Sequence, residues 1–305
     1  MNLNHMFWED TLLSEKTHTD SLRPADWPGE SFCYTIRNQT DLKNERNPQM
    51  THNENEFQGF FAEFFDMLHE GCEDAEQYVS LLGTYGKKIL ELGSGTGRIV
   101  IPLAKAGFQV TGIEFESDMI SLMEKKDYPR NRLRVVQADA RHFSLDERFD
   151  VILLSCNFLN HFADAADVAS ILSCCRDHLE PDGCVIIDSS VPDTDYMVRS
   201  NGEEEVLTFA TAKGSEIRDY FKPCYDFLNQ VENDTIRLEE WKDGVLIREA
   251  CTEERLTWYY PREIRSLVRE AGLRVDWESS ALCTKEDRPP ISVDSENMIF
   301  CCKHA

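Results

Sequence analysis

From Lys87 to Glu114 the apolar and polar positions fall in an order that predicts a strand, a turn, a helix and a second strand. Ile89, Leu90 and Leu92 form a short apolar run of the kind a strand buried on both faces requires. Gly93, Gly95 and Gly97 follow, letting the backbone turn tightly and present bare peptide groups to a ligand. Arg98 to Ala106 carries apolar residues at helical spacing and closes on Gly107, a helix-ending glycine. Phe108 to Ile113 is strand-like again, and Glu114 stands at its carboxyl end. In an open α/β sheet that end faces the ligand crevice.

The same alternation continues on either side. Phe57, Phe60, Phe61, Phe64, Phe65 and Leu68 recur at helical spacing, as do Ala75, Tyr78, Val79 and Leu82. Ser117 reads as the N-cap of a helix through Lys126, with Asp118 in its first turn. Leu133 to Gln137 and Phe149 to Leu154 are the third and fourth strands. Ala165 to Leu179 is a helix, Pro181-Asp182-Gly183 a turn, and Cys184 to Asp188 the fifth strand. This run of βα units predicts a mostly parallel sheet with helices on both faces.

After Asp188 the pattern changes. Val206 to Ala210, Thr235 to Trp241 and Val245 to Trp258 alternate at period two, with Lys242-Asp243-Gly244 as a hairpin turn. A helix from Pro261 to Ala271 and strands over Leu273 to Trp277 and Asn297 to Cys302 complete the chain. The expected organisation is an N-terminal arm over 1–55, partly mobile or capping, and a nucleotide-binding core over 56–188. An antiparallel insertion over 189–259 and a C-terminal completion of the core sheet over 260–305 follow.

Composition narrows the partners. With 56 acidic residues against 32 basic ones, the formal net charge of the 305 residues is −24. That field repels polyanions, which argues against DNA, RNA and anionic membrane surfaces. The eleven cysteines include no C-x-x-C pair and sit largely in apolar segments, so neither a metal site nor a disulfide framework is indicated. Buried thiols in a reducing cytoplasm are expected. No apolar run reaches the length of a membrane span.

The chemistry rests on E-L-G-S-G-T-G. Glu91, in the strand before the first glycine, would repel a pyrophosphate but attract a cationic ligand. S-adenosylmethionine, with its sulfonium and ammonium groups, fits that sign. On these residues the chain resembles the class I S-adenosylmethionine-dependent methyltransferases of the bacterial small-molecule type. The likeness is most specific over Ile89 to Asp188. It implies a Rossmann-like, doubly wound seven-stranded sheet with an antiparallel edge strand, and S-adenosyl-L-methionine as cofactor. It further implies a cofactor site built from Glu91, Gly93, Ser94, Gly95, Gly97, Glu114, Phe115, Asp139, Ala140 and Ser155. Asp139 is either the acid that accepts from the adenine amine or a turn aspartate at a strand end. Phe115 packs on the adenine face or fills the sheet edge.

The segment after the fourth strand, S-C-N-F-L-N-H-F, lies beside the transferable methyl in that family. Its catalytic candidates are Asn157 and His161, with His161 either a general base or a residue that orients a loop. The expected reaction moves a methyl group to N or O of a small molecule. Protein or RNA methylation and a catalytically silent binding partner are the alternatives. The antiparallel insertion covers the substrate pocket, forms a homodimer contact or extends the sheet.

Overall fold

A computed structural model describes residues 55–69, 74–284 and 288–305. These belong to one compact unit, Asn53–Ala305. The N-terminal arm, but for its last residue, lies outside the described residues.

Two helices, α1 (Gly59–Leu68) and α2 (Asp74–Leu82), precede β1 (Lys88–Leu92), α3 (Val100–Lys105), β2 (Gln109–Glu114), α4 (Ser117–Glu124), β3 (Leu133–Gln137) and β4 (Phe149–Leu154). A short 3-10 helix at Phe158–His161 leads to α5 (Ala165–Asp177), β5 (Leu179–Ser190) and α6 (Thr194–Ser200). The strands β6 (Glu205–Ala210), β7 (Glu216–Asp226), β8 (Val231–Lys242) and β9 (Val245–Thr257) come next, then α7 (Pro261–Glu270), β10 (Leu273–Ser279) and β11 (Asn297–His304). Among the described residues no helix is long and apolar enough to cross a membrane.

The larger sheet runs β10-β11-β5-β4-β1-β2-β3. Its β1 to β5 pairs are parallel, and β11 is antiparallel to both β5 and β10. The antiparallel closing strand therefore lies toward that margin of the sheet, with β10 outside it. Side chains alternate across the sheet and build two cores. Leu90, Leu92, Ile152, Leu154, Ile187 and Phe300 meet α5 and α7 on one face. Ile89, Val110, Val151, Leu153, Ile186 and Ile299 meet α2 and α3 on the other. Each such side chain contributes about 1.5–3 kcal/mol on burial, which is why the strands are rich in apolar residues on both faces.

Two local expectations are corrected. Pro181-Asp182-Gly183 does not precede the fifth strand but lies within it as an irregularity. The register steps there from Phe149↔Leu179 to Val151↔Cys184. Ser117 is not the N-cap of α4. Glu116 holds that place without capping through its side chain, because its carboxylate accepts from Asn55 Nδ2 at 2.8 Å and Gln58 Nε2 at 2.9 Å.

The insertion is a separate four-stranded antiparallel sheet in the order β6-β7-β8-β9. Asp243 and Gly244, with φ of 52° and 76°, make the tight two-residue turn that joins β8 to β9. Phe60, Phe61 and Phe64 of α1 pack on its inner face against Phe221, Ile236 and Leu238. Thus α1 is held by the core sheet's crevice at one end and by the insertion along its apolar face.

Candidate active site

The carboxyl ends of β1, β2 and β4 converge on the glycine turn. The amides of Gly93 and Ser94 donate to Ile113 O at 2.9 and 3.0 Å, which ties the turn to β2. Gly93, Gly95 and Gly97 all have positive φ, at 70°, 53° and 91°. A Cβ on Gly93 would come within 2.5 Å of the Phe158 ring, whereas one on Gly95 would meet no atom within 4 Å. Gly95 therefore borders open space, which is where a ligand gains access to bare backbone.

Glu114 is buried at the end of β2 and closes this cradle. Its Oε2 accepts from Gly95 N at 2.7 Å, and its Oε1 accepts from Phe115 N and Glu116 N at 2.8 and 2.9 Å. Burial raises its pKa against the lowering effect of those amides. Glu91 is 2% exposed, and Ser155 Oγ donates to its Oε1 at 2.5 Å. The Ser94 hydroxyl is buried with no hydrogen-bond partner among the described residues. A Cβ at Gly112 would lie 2.6 Å from it. An orphaned hydroxyl, an open glycine and two buried carboxylates fit a cofactor with hydroxyls and positive charge.

Other predicted residues take distinct places. Phe115 is 61% exposed, so it does not fill the sheet edge; its ring stands free beside Glu114. Asp139 accepts from the backbone and side chain of Arg141, and these bonds hold its pKa below the usual range. Its carboxylate thus builds a turn at the end of β3. Ala140 is buried in the adjoining core. Asn157 adopts a left-handed conformation at φ 60°, and its Oδ1 accepts from Ser190 N, which pins the loop after β4 to β5. Asn160 Oδ1 accepts from Ser189 Oγ at 3.1 Å.

His161 ends this loop and is mostly buried, with 22% of its side chain exposed. Phe57 packs edge-on against it at 5.4 Å between ring centroids. Its Nδ1 lies 3.8 Å from Glu254 Oε1 on β9. Desolvation lowers its pKa to about 4, so the imidazole is neutral near pH 7 and the contact is not an ion pair. Glu56 completes the group, with the three side chains' ligating atoms all within 4.8 Å of one another. Burial pushes Glu254 well above the usual carboxylate range, and Glu56 and Glu232 add to the shift.

Sequence reasoning missed Glu56 and Glu254. The signal was available in the insertion, where Glu232, Asp234 and Glu254 share strand parity with the apolar residues Ile236, Leu238 and Leu256. The aromatic side chains of that region take separate places. Tyr225 and Trp258 are buried together, and Tyr259 donates to Phe162 O at 2.5 Å.

Residues 89–183 match the family model of a methyltransferase domain. The YqeM methyltransferase of Bacillus subtilis strain 168 is 28% identical, the match covering 43% of this chain and about half (54%) of that relative. The cypemycin N-terminal methyltransferase of Streptomyces sp. is 26% identical over 62% of this chain and 74% of its own. The ubiquinone biosynthesis O-methyltransferase of Actinobacillus pleuropneumoniae serotype 7 (strain AP76) is 31% identical over 52% of this chain and 70% of its own. Among solved structures, the CcbJ methyltransferase of Streptomyces caelestis superposes with a TM-score of 0.65 at 21% identity, covering 77% of this chain and 90% of that one. The sugar N-methyltransferase KedS8 of Streptoalloteichus sp. ATCC 53650 gives 0.62 at 15%, covering 95% and 100%. The structural likenesses carry the fold and the sequence relatives carry the descent, and on the latter the chain belongs to the class I S-adenosylmethionine-dependent methyltransferases.

Proposed function

We propose that this chain methylates a nitrogen or oxygen of a small molecule. The observation that carries the reading is the adjacency of two differently built regions at the carboxyl ends of β1, β2 and β4. One is the glycine turn with Glu91, Glu114 and Ser155, and the other is the group His161, Glu254 and Glu56. Relatives named as N- and O-methyltransferases of small molecules and sugars support the same class.

S-adenosylmethionine supplies the methyl group on a sulfonium, and displacement from it needs alignment and exclusion of water more than covalent catalysis. Glu114 and the Gly95 amide would hold the ribose side. Glu91, held by Ser155, would face the cationic end. Asn157 fixes the loop that carries His161 by its bond to Ser190, so the acceptor side is set by the same loop that borders the cofactor. A formal charge of −24 favours a neutral or cationic acceptor over a polyanion.

The test is to incubate purified protein with methyl-labelled S-adenosylmethionine and host metabolite extract, then identify labelled products by mass spectrometry. Label in small molecules is expected. Label confined to protein or RNA would overturn the assignment.

A further inference from the structure

Two helix N-caps leave their own helices uncapped and bond each other. Gln58 precedes α1 and Glu116 precedes α4, and neither side chain caps its own helix. Gln58 Nε2 donates to Glu116 Oε2 at 2.9 Å instead, while Asn55 Nδ2 donates to Glu116 Oε1 at 2.8 Å. These partners lie 58 and 61 positions apart in the sequence. An acid at an N-cap normally accepts from the free amides of its own first turn, so this one serves a distant segment in place of its helix. Asp118 adds a third contact, its Oδ2 accepting from Gly59 N at 2.8 Å, where the chain enters α1 at a φ of 51°. Beyond α4, Lys126 pairs with Asp66 of α1 and donates to Thr96 Oγ1 of the glycine turn at 3.3 Å.

Residues 55–59 thereby form a strap that runs from the carboxyl end of β2 to the loop after β4, with β1 between those strands in the sheet. Its middle residues meet the reaction side. Phe57 stands edge-on to His161, and Glu56 lies with His161 and Glu254. The Phe57 ring also meets Phe65 of α1 at 6.2 Å between centroids. Its amide donates to Asn55 Oδ1 at 2.9 Å, so Asn55 both grips Glu116 and sets the turn that presents the ring. The titratable groups at His161 are Glu56 from the strap and Glu254 from β9, whereas Asp188 of β5 takes the Tyr78 hydroxyl as donor.

Resting on the methyltransferase reading above, we infer that Glu116 is a positioning residue for the reaction: it latches residues 55–59 in place, so that Phe57 closes the His161 side of the site while Glu114 holds the cofactor side. The two halves share one backbone. Glu114 Oε1 accepts the amides of Phe115 and Glu116 together, so the acid that meets the cofactor also fixes the stretch from which the latch extends. A cofactor bound against Glu114 stiffens that stretch, and the strap then keeps water from the transferable methyl. Glu116 touches neither reactant in this role and acts through Asn55, Gln58 and Phe57.

Two measurements on the full chain test this. In the first, imidazole NMR follows His161 with pH, its signal identified among the eight histidines by its loss in H161Q. Burial holds its pKa at about 4 while the strap is closed. Opening the strap in E116A, or from its other side in N55A/Q58A, is expected to return it to about 5.5 or above, toward the ordinary 6.5. The exchanged pair E116Q/Q58E restores the contact with donor and acceptor swapped and should bring back the wild-type titration. An unmoved His161 in both opened variants, or a shift that the exchanged pair leaves in place, would overturn the latch. In the second, hydrogen exchange is followed at the Phe57 and Gly59 amides with and without saturating S-adenosylhomocysteine. The ligand is expected to slow both by about 5-fold or more in wild type and not in N55A/Q58A. Unchanged exchange while calorimetry records binding would overturn the coupling to Glu114 and leave the cofactor reading standing. Absence of binding would remove the cofactor reading and the coupling together, and the His161 titration then judges the latch by itself.

Discussion

The Glu114 carboxylate takes the amide of Gly95 at 2.7 Å, so the acid at the end of β2 also sets the tip of the glycine turn. Glu114→Ala removes the acceptor and leaves three amides without their partner. We expect S-adenosylhomocysteine affinity to fall by about 2–3 kcal/mol, roughly 30- to 150-fold, in isothermal calorimetry. Glu114→Gln keeps one acceptor oxygen and should lose less. Equal affinity for wild type and Glu114→Ala would remove Glu114 from the cofactor site.

The glycines of the turn differ in what they protect. A side chain on Gly93 collides with Phe158, and one on Gly95 enters open space. Gly93→Ala is expected to cost about 2–4 kcal/mol in urea unfolding, the sum of overpacking and left-handed strain. Combining it with Phe158→Ala should recover the overpacking part. Gly95→Ala should cost only about 1–2 kcal/mol of stability while cofactor affinity drops sharply. The reverse ranking would place the cofactor elsewhere.

Asn157 acts through Ser190. Its Oδ1 holds the Ser190 amide while its backbone sits at φ 60°. Asn157→Ala should lose about 2–4 kcal/mol, combining an unsatisfied buried amide with left-handed strain. Asn157→Gly relieves the strain and should be more stable than the alanine variant by about 1 kcal/mol in the same urea assay. An alanine variant as stable as the glycine variant would show that the loop is held by something else.

Asp219 lies on the inner face of β7 with Oδ1 unpartnered, and burial raises its pKa from 3.8 to about 7. A raised carboxyl favours the protonated fold. Its contribution is full below pH 3.8 and is lost as pH rises through about 7, a change of up to about 4 kcal/mol. Asp219→Asn has no proton to lose there. Unfolding measured at roughly pH 5 and pH 8 should show a falling wild type and a variant that is flatter across the interval. Parallel pH profiles would refute the assignment.

The core was legible because a strand covered on both faces has one solution, an unbroken apolar run, and Val151 to Leu154 supplies it. The glycine turn was legible because strained backbone demands a particular residue. The insertion read less clearly. Glu216–Asp226 carries Arg218, Asp219, Lys222 and Pro223, which mask a strand. Pro223 is tolerated because β6 ends at the Glu205↔Phe221 pair, so the missing N–H faces no strand. Its carbonyl on that side accepts instead from Gly202 N at 2.7 Å. The helix Thr194–Ser200 announced itself only by Asp193, whose side chain caps Tyr196 N. Glu56 and Glu254 were invisible as a pair because only the folded chain brings them together.

Among the described residues the two sheets share no hydrogen-bonded strand pair. A shift of register or a change of side chain on β6 to β9 is therefore not transmitted along a ladder to β1, β2 and β4, whose ends shape the glycine turn. What joins the two sheets is side-chain packing and hydrogen bonding through α1 and the 3-10 helix, so a change on β6 to β9 reaches the glycine turn only through those side chains.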